Sequence, residues 1–179
     1  SEMCIRDRNM VCQDIDKEER RHKMYKLQIE MIPRTSWYSN LRSELSKEDW
    51  DILRKEAYRN ANWHCEICGC SGVQLHAHEI WDFNMATEVQ TLIKIVALCP
   101  ICHATIHYGR TCKIEGMAGA EKVMKHFCKV NNCSLEEFNE HVEEAKDLWM
   151  IRSEVNWKLD ISKITDRGII PLKMKGDIK

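Results

Sequence analysis

The chain has 179 residues, is 44% hydrophobic and carries a formal charge of −1, which suits one domain with a real core and excludes a general basic field for nucleic acid. No apolar run approaches the roughly 20 residues that span a bilayer, and the amino terminus lacks the apolar core of a secretory signal, so a soluble, cytoplasmic protein with no membrane partner is expected. Of ten cysteines, four fall in two C-x-x-C pairs with histidines close by, the spacing of metal sites rather than of a disulfide framework.

In chain order, SEMCIRDR (Ser1 to Arg8) resembles a translated sequencing-adapter fragment and is set aside from fold reasoning. Native translation is then expected from Met10 or Met24, which leaves Cys4 and Cys12 little weight. Residues 9–23 are charged and lack apolar periodicity, so 1–23 reads as a non-native or disordered extension. KLQIEMIP alternates and is expected as a short strand ending at Pro33. Ser46 with Asp49 approximates a capping box, and Trp50, Leu53, Ala57 and Tyr58 mark one face of a helix ending near Asn60 to Asn62.

After the first C-x-x-C, a strand is expected around VQLHAHEIW, a loop at DFNMATEVQ, a second strand around LIKIVAL and a short helix from about His103. GAEKVMKHFCKVN suits a helix with Val123, Phe127 and Val130 on one side. Ser134 caps a longer helix on which Leu135, Phe138, Val142, Ala145 and Trp149 recur at helical spacing. WKLDISKI adds a strand or hook, and 166–179 is a flexible tail. The resulting fold class is α+β, with one domain over 24–165. Its metal core spans 63–110, an amino-terminal helix flanks it, and a helical cap covers 111–156. Trp50, Trp149 and Trp157 are expected to cover the core around the cysteines, with Trp81 as a packing residue. A basic run (Arg110, Lys113, Lys122, Lys125, Lys129) and an acidic one (Glu136 to Asp147) read first as solvated faces.

Cys65-x-x-Cys68 and Cys99-x-x-Cys102 can supply four thiolates to one tetrahedral Zn²⁺, because each turn presents two sulfurs toward one point. The thirty residues between the pairs must then fold outward. Disulfides or buried free thiols are the alternative. Cys70 reads as a spectator thiol, Cys112 and Cys128 as core fillers or surface thiols, and Cys133 has no partner at ligand spacing.

His76, His78, Glu79, His103 and His107 form the second constellation. His103 and His107 share a helix face at a spacing of four, and His76 and His78 share a strand face at a spacing of two. Two converging pairs can hold a second metal with an open position, which hydrolysis requires. Taken singly, His107 and His76 are more ordinary as surface histidines, and His64, His126 and His141 look incidental.

The pattern CEIC…LHAHEIW…ALCPICHATIH resembles the HNH endonucleases that carry a Cys4 zinc, and covers just over a quarter of the chain. Flanking segments resemble uncharacterised bacterial and phage proteins with the same core. The resemblance implies a ββα-metal, treble-clef-like unit. Laid over Leu75 to Ile80, the family's pattern puts a metal ligand at His78 and the general base at Glu79, where the family has His. The family's Asn falls on Lys94. His103 matches the final metal ligand and His107 an additional one.

Glutamate is the weaker base near neutrality, so Glu79 is either a tuned base or a further ligand. Three imidazoles suit Zn²⁺, Ni²⁺, Co²⁺ or Mn²⁺ better than Mg²⁺. The expectation is a metal-dependent endonuclease acting on DNA, with a phage, mobile-element or defence role. Lys94, Arg110 and Lys113 are its phosphate contacts. The competing expectations are a noncatalytic zinc module that binds nucleic acid or protein, and a purely structural zinc protein.

Overall fold

The computed structural model describes residues 25–36 and 41–169; the expected extension over 1–23 and the tail beyond 169 lie outside the described residues. A 3-10 turn at Arg34–Ser36 precedes two helices, α1 (Leu41–Glu44) and α2 (Lys47–Asn60). α2 starts where expected because the Asp49 amide donates to Ser46 Oγ at 3.1 Å, while that hydroxyl donates to Asp49 Oδ2 at 2.6 Å. Its Leu53, Ala57 and Tyr58 are buried.

β1 (His76–Asn84) and β2 (Val89–Leu98) form an antiparallel hairpin in which His78 lies opposite Val96. The segment expected as a loop is largely strand. Only 85–88 turn, and Asn84 Oδ1 holds the turn by accepting from the amides of Ala86 and Thr87, both at 3.0 Å. The register slips between Ile80 and Trp81, which pair with Lys94 and Leu92, so Ile93 forms a bulge. β3 (Lys158–Asp160) adds to β2 in parallel and completes a three-stranded sheet.

α3 (Pro100–Ile106) begins three residues before the expected start because Cys99 takes the N-cap and Pro100 the first helical position. His107 joins it to α4 (Tyr108–Asn131), which is broken at Gly116, whose backbone (φ 63°, ψ −149°) only glycine adopts readily. α5 (Leu135–Arg152) carries the reciprocal capping box, Ser134 with Glu137, and α6 (Ser162–Thr165) closes the described chain. No described helix is long and apolar enough to cross a membrane.

KLQIEMIP is not a sheet strand. Its alternation buries Leu27 and Ile29, but its amides go elsewhere: Leu27 to Asn131 Oδ1 (3.0 Å), Ile29 to His141 Nε2 (3.0 Å) and Glu30 to the Ile106 carbonyl (2.9 Å). The segment is therefore an extended strap across the helices.

Two main cores result. The first surrounds the cysteines with Leu27, Val96, Leu98, Ile106, Phe127, Phe138 and Val142. The second gathers Leu41, Leu45, Leu53, Leu92, Ile161 and Ile164, with Trp50 and Trp81 packed against it. Trp81 is thus a packing residue, while the expectation that Trp50, Trp149 and Trp157 cover the cysteines is overturned. Trp149 donates to the Ile32 carbonyl beneath Arg34, and Trp157 packs on Phe83.

Candidate metal centres

The first centre is built from two local turns. In the Cys65–Cys70 knuckle the Cys65 amide donates to the Cys70 carbonyl (2.8 Å) and the Gly69 amide to the Cys65 carbonyl (2.9 Å), a tight turn that places Gly69 at φ 75°. The second pair sits at the start of α3, where the Cys102 amide faces Cys99 Sγ at 3.5 Å. Glu66 locks one turn to the other through β2, its amide donating to the Ala97 carbonyl and its carboxylate accepting from the Ala97 amide.

The sulfurs of Cys65, Cys68, Cys99 and Cys102 consequently lie within 4.8 Å of one another, and the described cysteines are free rather than disulfide-bonded. The four together can hold a metal ion. Donation from the Cys102 thiol, opposed by burial, brings the Cys65 thiol down to about 4, so one thiolate is already favoured. Cys70 is pushed the other way, to about 12, by burial and by the sulfurs of Cys68 and Cys99, which keeps it a neutral bystander. His126, incidental in the sequence, has Nε2 3.1 Å from Cys102 Sγ.

The second centre brings strand and helix together. His78 from β1, His103 from α3 and His107 from the joint after α3 present ring nitrogens within 4.8 Å of one another. His78 is 6% exposed, and its Nε2 is buried without a hydrogen-bond partner. Buried polar atoms are rarely left so, and an ion shared with the other two rings fits this one. Burial, reinforced by His107 and His103, holds His78 near 3; burial, reinforced by His107, His76 and Arg110, holds His103 near 3; burial and Arg110 hold His107 near 4. All three are neutral imidazoles at pH 7, the form that ligates metal.

The pairing of His103 with His107 survives, although His107 leaves helical geometry (φ −87°, ψ 44°); its amide still bonds the His103 carbonyl and the rings are 4.8 Å apart. His76 is the residue that sequence reasoning undervalued. Its Nδ1 is 3.2 Å from His103 Nδ1, with the rings edge to face. The shared strand face of His76 and His78 was the available signal.

Glu79 does not join the histidines. Strand alternation sends it to the opposite face, where Oε1 accepts from the Leu41 amide (3.0 Å) and Oε2 from Trp81 Nε1 (3.1 Å). Burial raises its carboxyl to about 7 against those donors. The placement expected for a base or extra ligand is therefore corrected: Glu79 ties α1 to β1. Lys94 is exposed, its Nζ 3.8 Å from Glu66 Oε2. Arg110 lines an open cleft of about 390 Å³ with His76, His103, His107, Glu115 and Lys122, whereas Lys113 is exposed on α4 outside that lining.

Comparison of the chain with protein-family models, with curated proteins and with solved structures finds no match.

Proposed function

We propose that the protein is a metal-dependent endonuclease of the HNH type that hydrolyses phosphodiester bonds in DNA. In this reading the hairpin β1–β2 with α3 is its ββα-metal core. The observation that supports the reading is the three-histidine cluster, with its unpartnered buried His78 Nε2, opening beside a cleft that carries Arg110 and Lys122. The four cysteines would hold a structural Zn²⁺, and His78, His103 and His107 a second divalent ion, with Zn²⁺, Ni²⁺, Co²⁺ or Mn²⁺ favoured over Mg²⁺. Bound there, such an ion supplies Lewis-acid chemistry at a phosphate. Arg110 and Lys122 orient the phosphodiester through its anionic oxygens, and burial keeps the imidazoles unprotonated.

The test is nicking of supercoiled plasmid across Mg²⁺, Mn²⁺, Ni²⁺ and Zn²⁺. Cleavage by the parent, and its loss in His103→Ala and in the His78→Ala/His103→Ala double variant with cysteine-bound zinc retained, is the expected result. Undiminished cleavage in His103→Ala rejects the assignment.

A second reading is favoured by Glu79 and Lys94, since the positions where the family keeps its base and its Asn are tied to α1 and to Glu66. A noncatalytic zinc module on nucleic acid or protein would have such a site. Salt-sensitive DNA binding without cleavage under any metal selects it.

A further inference from the structure

We infer that His76 is a positioning residue for the histidine centre: it fixes His103 in the tautomer that leaves Nε2 free for a metal. The inference rests on the metal-binding part of the proposed function and concerns a residue to which the family resemblance gives no role.

The geometry restricts the protons. His76 Nδ1 and His103 Nδ1 are 3.2 Å apart, a hydrogen-bond separation that accommodates one proton between the two atoms. If His76 donates, a neutral His103 carries its proton on Nε2 and that nitrogen cannot ligate. If His103 donates, His103 Nε2 holds a lone pair, and His76 carries its own proton on Nε2, at the cleft that both rings line. Only the second arrangement leaves a ligand atom on His103 besides the one committed to His76.

The surroundings favour the same choice. His103 also packs edge to face on His78 and His107, at 5.4 and 4.8 Å between ring centroids, and a ring nitrogen from each of the three lies within 4.8 Å of the others. His78 in that cluster is buried with Nε2 unpartnered. His76 is half-buried and lines the open cleft. Histidine ligands are ordinarily oriented in this way by an acceptor on the ring nitrogen that does not bind the ion. A bound cation makes the His103 Nδ1–H a stronger donor, so ligation and the His76 contact reinforce each other.

The experiment uses the full chain with one equivalent of Zn²⁺ at the cysteines, as parent, His76→Leu and His76→Asn. The Asn amide oxygen can stand where Nδ1 stood and accept the same hydrogen bond. Before any second metal is added, nitrogen-15 spectra should show His103 as the Nδ1–H tautomer in the parent and in His76→Asn, and mixed or Nε2–H in His76→Leu. Titration with Co²⁺, read by its visible bands without thiolate charge transfer, should give a roughly 10- to 100-fold weaker site in His76→Leu, largely restored in His76→Asn. An Nε2–H His103 in the parent, or equal Co²⁺ affinity and an unchanged His103 tautomer in His76→Leu, overturns the inference. If the parent takes up no Co²⁺ at its histidines, the metal centre of the proposed function falls, and the tautomer spectra still decide what His76 does to His103.

Discussion

Adjacent residues of a strand face opposite ways, so His78 and Glu79 cannot both reach one ion unless the strand breaks between them, and the register slips only after Ile80. That constraint was legible in HAHEIW, and it points to His76 rather than Glu79 as the companion of His78. The cysteine pairs were readable for a related reason: a C-x-x-C turn presents both sulfurs within four residues and needs no knowledge of the fold. The His76–His103 contact spans 27 positions, and no local pattern announces it. The tie that Glu79 makes between α1 and β1 has a stability consequence. Glu79→Ala leaves the Leu41 amide and the Trp81 indole N–H without their acceptor, and Leu41 is fully buried. A loss of about 2–6 kcal/mol in urea denaturation is expected, at roughly 1–3 kcal/mol for each of the two stranded donors. Glu79→Gln, which keeps an acceptor oxygen, should lose less, and both variants should bind Co²⁺ at the histidines as the parent does. Lost metal affinity at unchanged stability would return Glu79 to the site.

Helices with side-chain caps were the readable elements, since Ser46–Asp49 and Ser134–Glu137 write their start signals within four residues. The 25–33 strap was only half readable. Alternation shows that Leu27 and Ile29 go inside, but not that the donors between them are met by an Asn side chain, a His ring and a helix-end carbonyl instead of a strand. One of those acceptors titrates. His141 stacks on Phe127, meets Tyr25 edge to face, and accepts from the Ile29 amide through Nε2; Glu144 is 3.8 Å from its Nδ1 and mostly exposed. Burial lowers the His141 pKa below its ordinary value, about 6.5. The unfolded or undocked chain therefore takes up a proton before the docked one does. The contribution of this contact is complete above about pH 6.5 and is lost as pH falls toward the lower, docked value. Amide exchange at Ile29, corrected for the intrinsic rate, should accelerate between pH 7 and pH 5 in the parent. His141→Gln should show a flatter profile from a lower starting protection. Protection that holds or rises in the parent as the pH drops would show that His141 does not gate the strap.

Across the whole molecule the two main cores meet on one strand, because β2 gives Leu92 to the second and Val96 and Leu98 to the first. Sequence patterning identifies which face of an element is apolar but not which other face it meets, and Trp50 illustrates the difference: its helical stripe was legible, its place against the second core was not. The shared strand makes the cysteine centre a condition for both cores. Cys99 and Cys102 are buried in the first core, and Cys99, capping α3 through the Cys102 amide, sets the direction of the chain into α4. Metal binding at a structural cysteine site contributes roughly 10–16 kcal/mol in small zinc-finger peptides, as large as the 5–15 kcal/mol by which whole domains are usually stable. If the cysteines hold the structural Zn²⁺ of the proposed function, stripping it with a strong chelator, or weakening the site with Cys99→Ser, should therefore abolish the cooperative unfolding transition. Exchange protection should fall at Leu98 and Phe127 and, through β2, at Leu92 and Leu53 as well. A verified metal-free sample that keeps protection at Leu92 and Leu53 but loses it at Leu98 would mean that β2 does not couple the cores. Full protection at all four would show that the apolar packing suffices and that the fold does not depend on an ion at the cysteines.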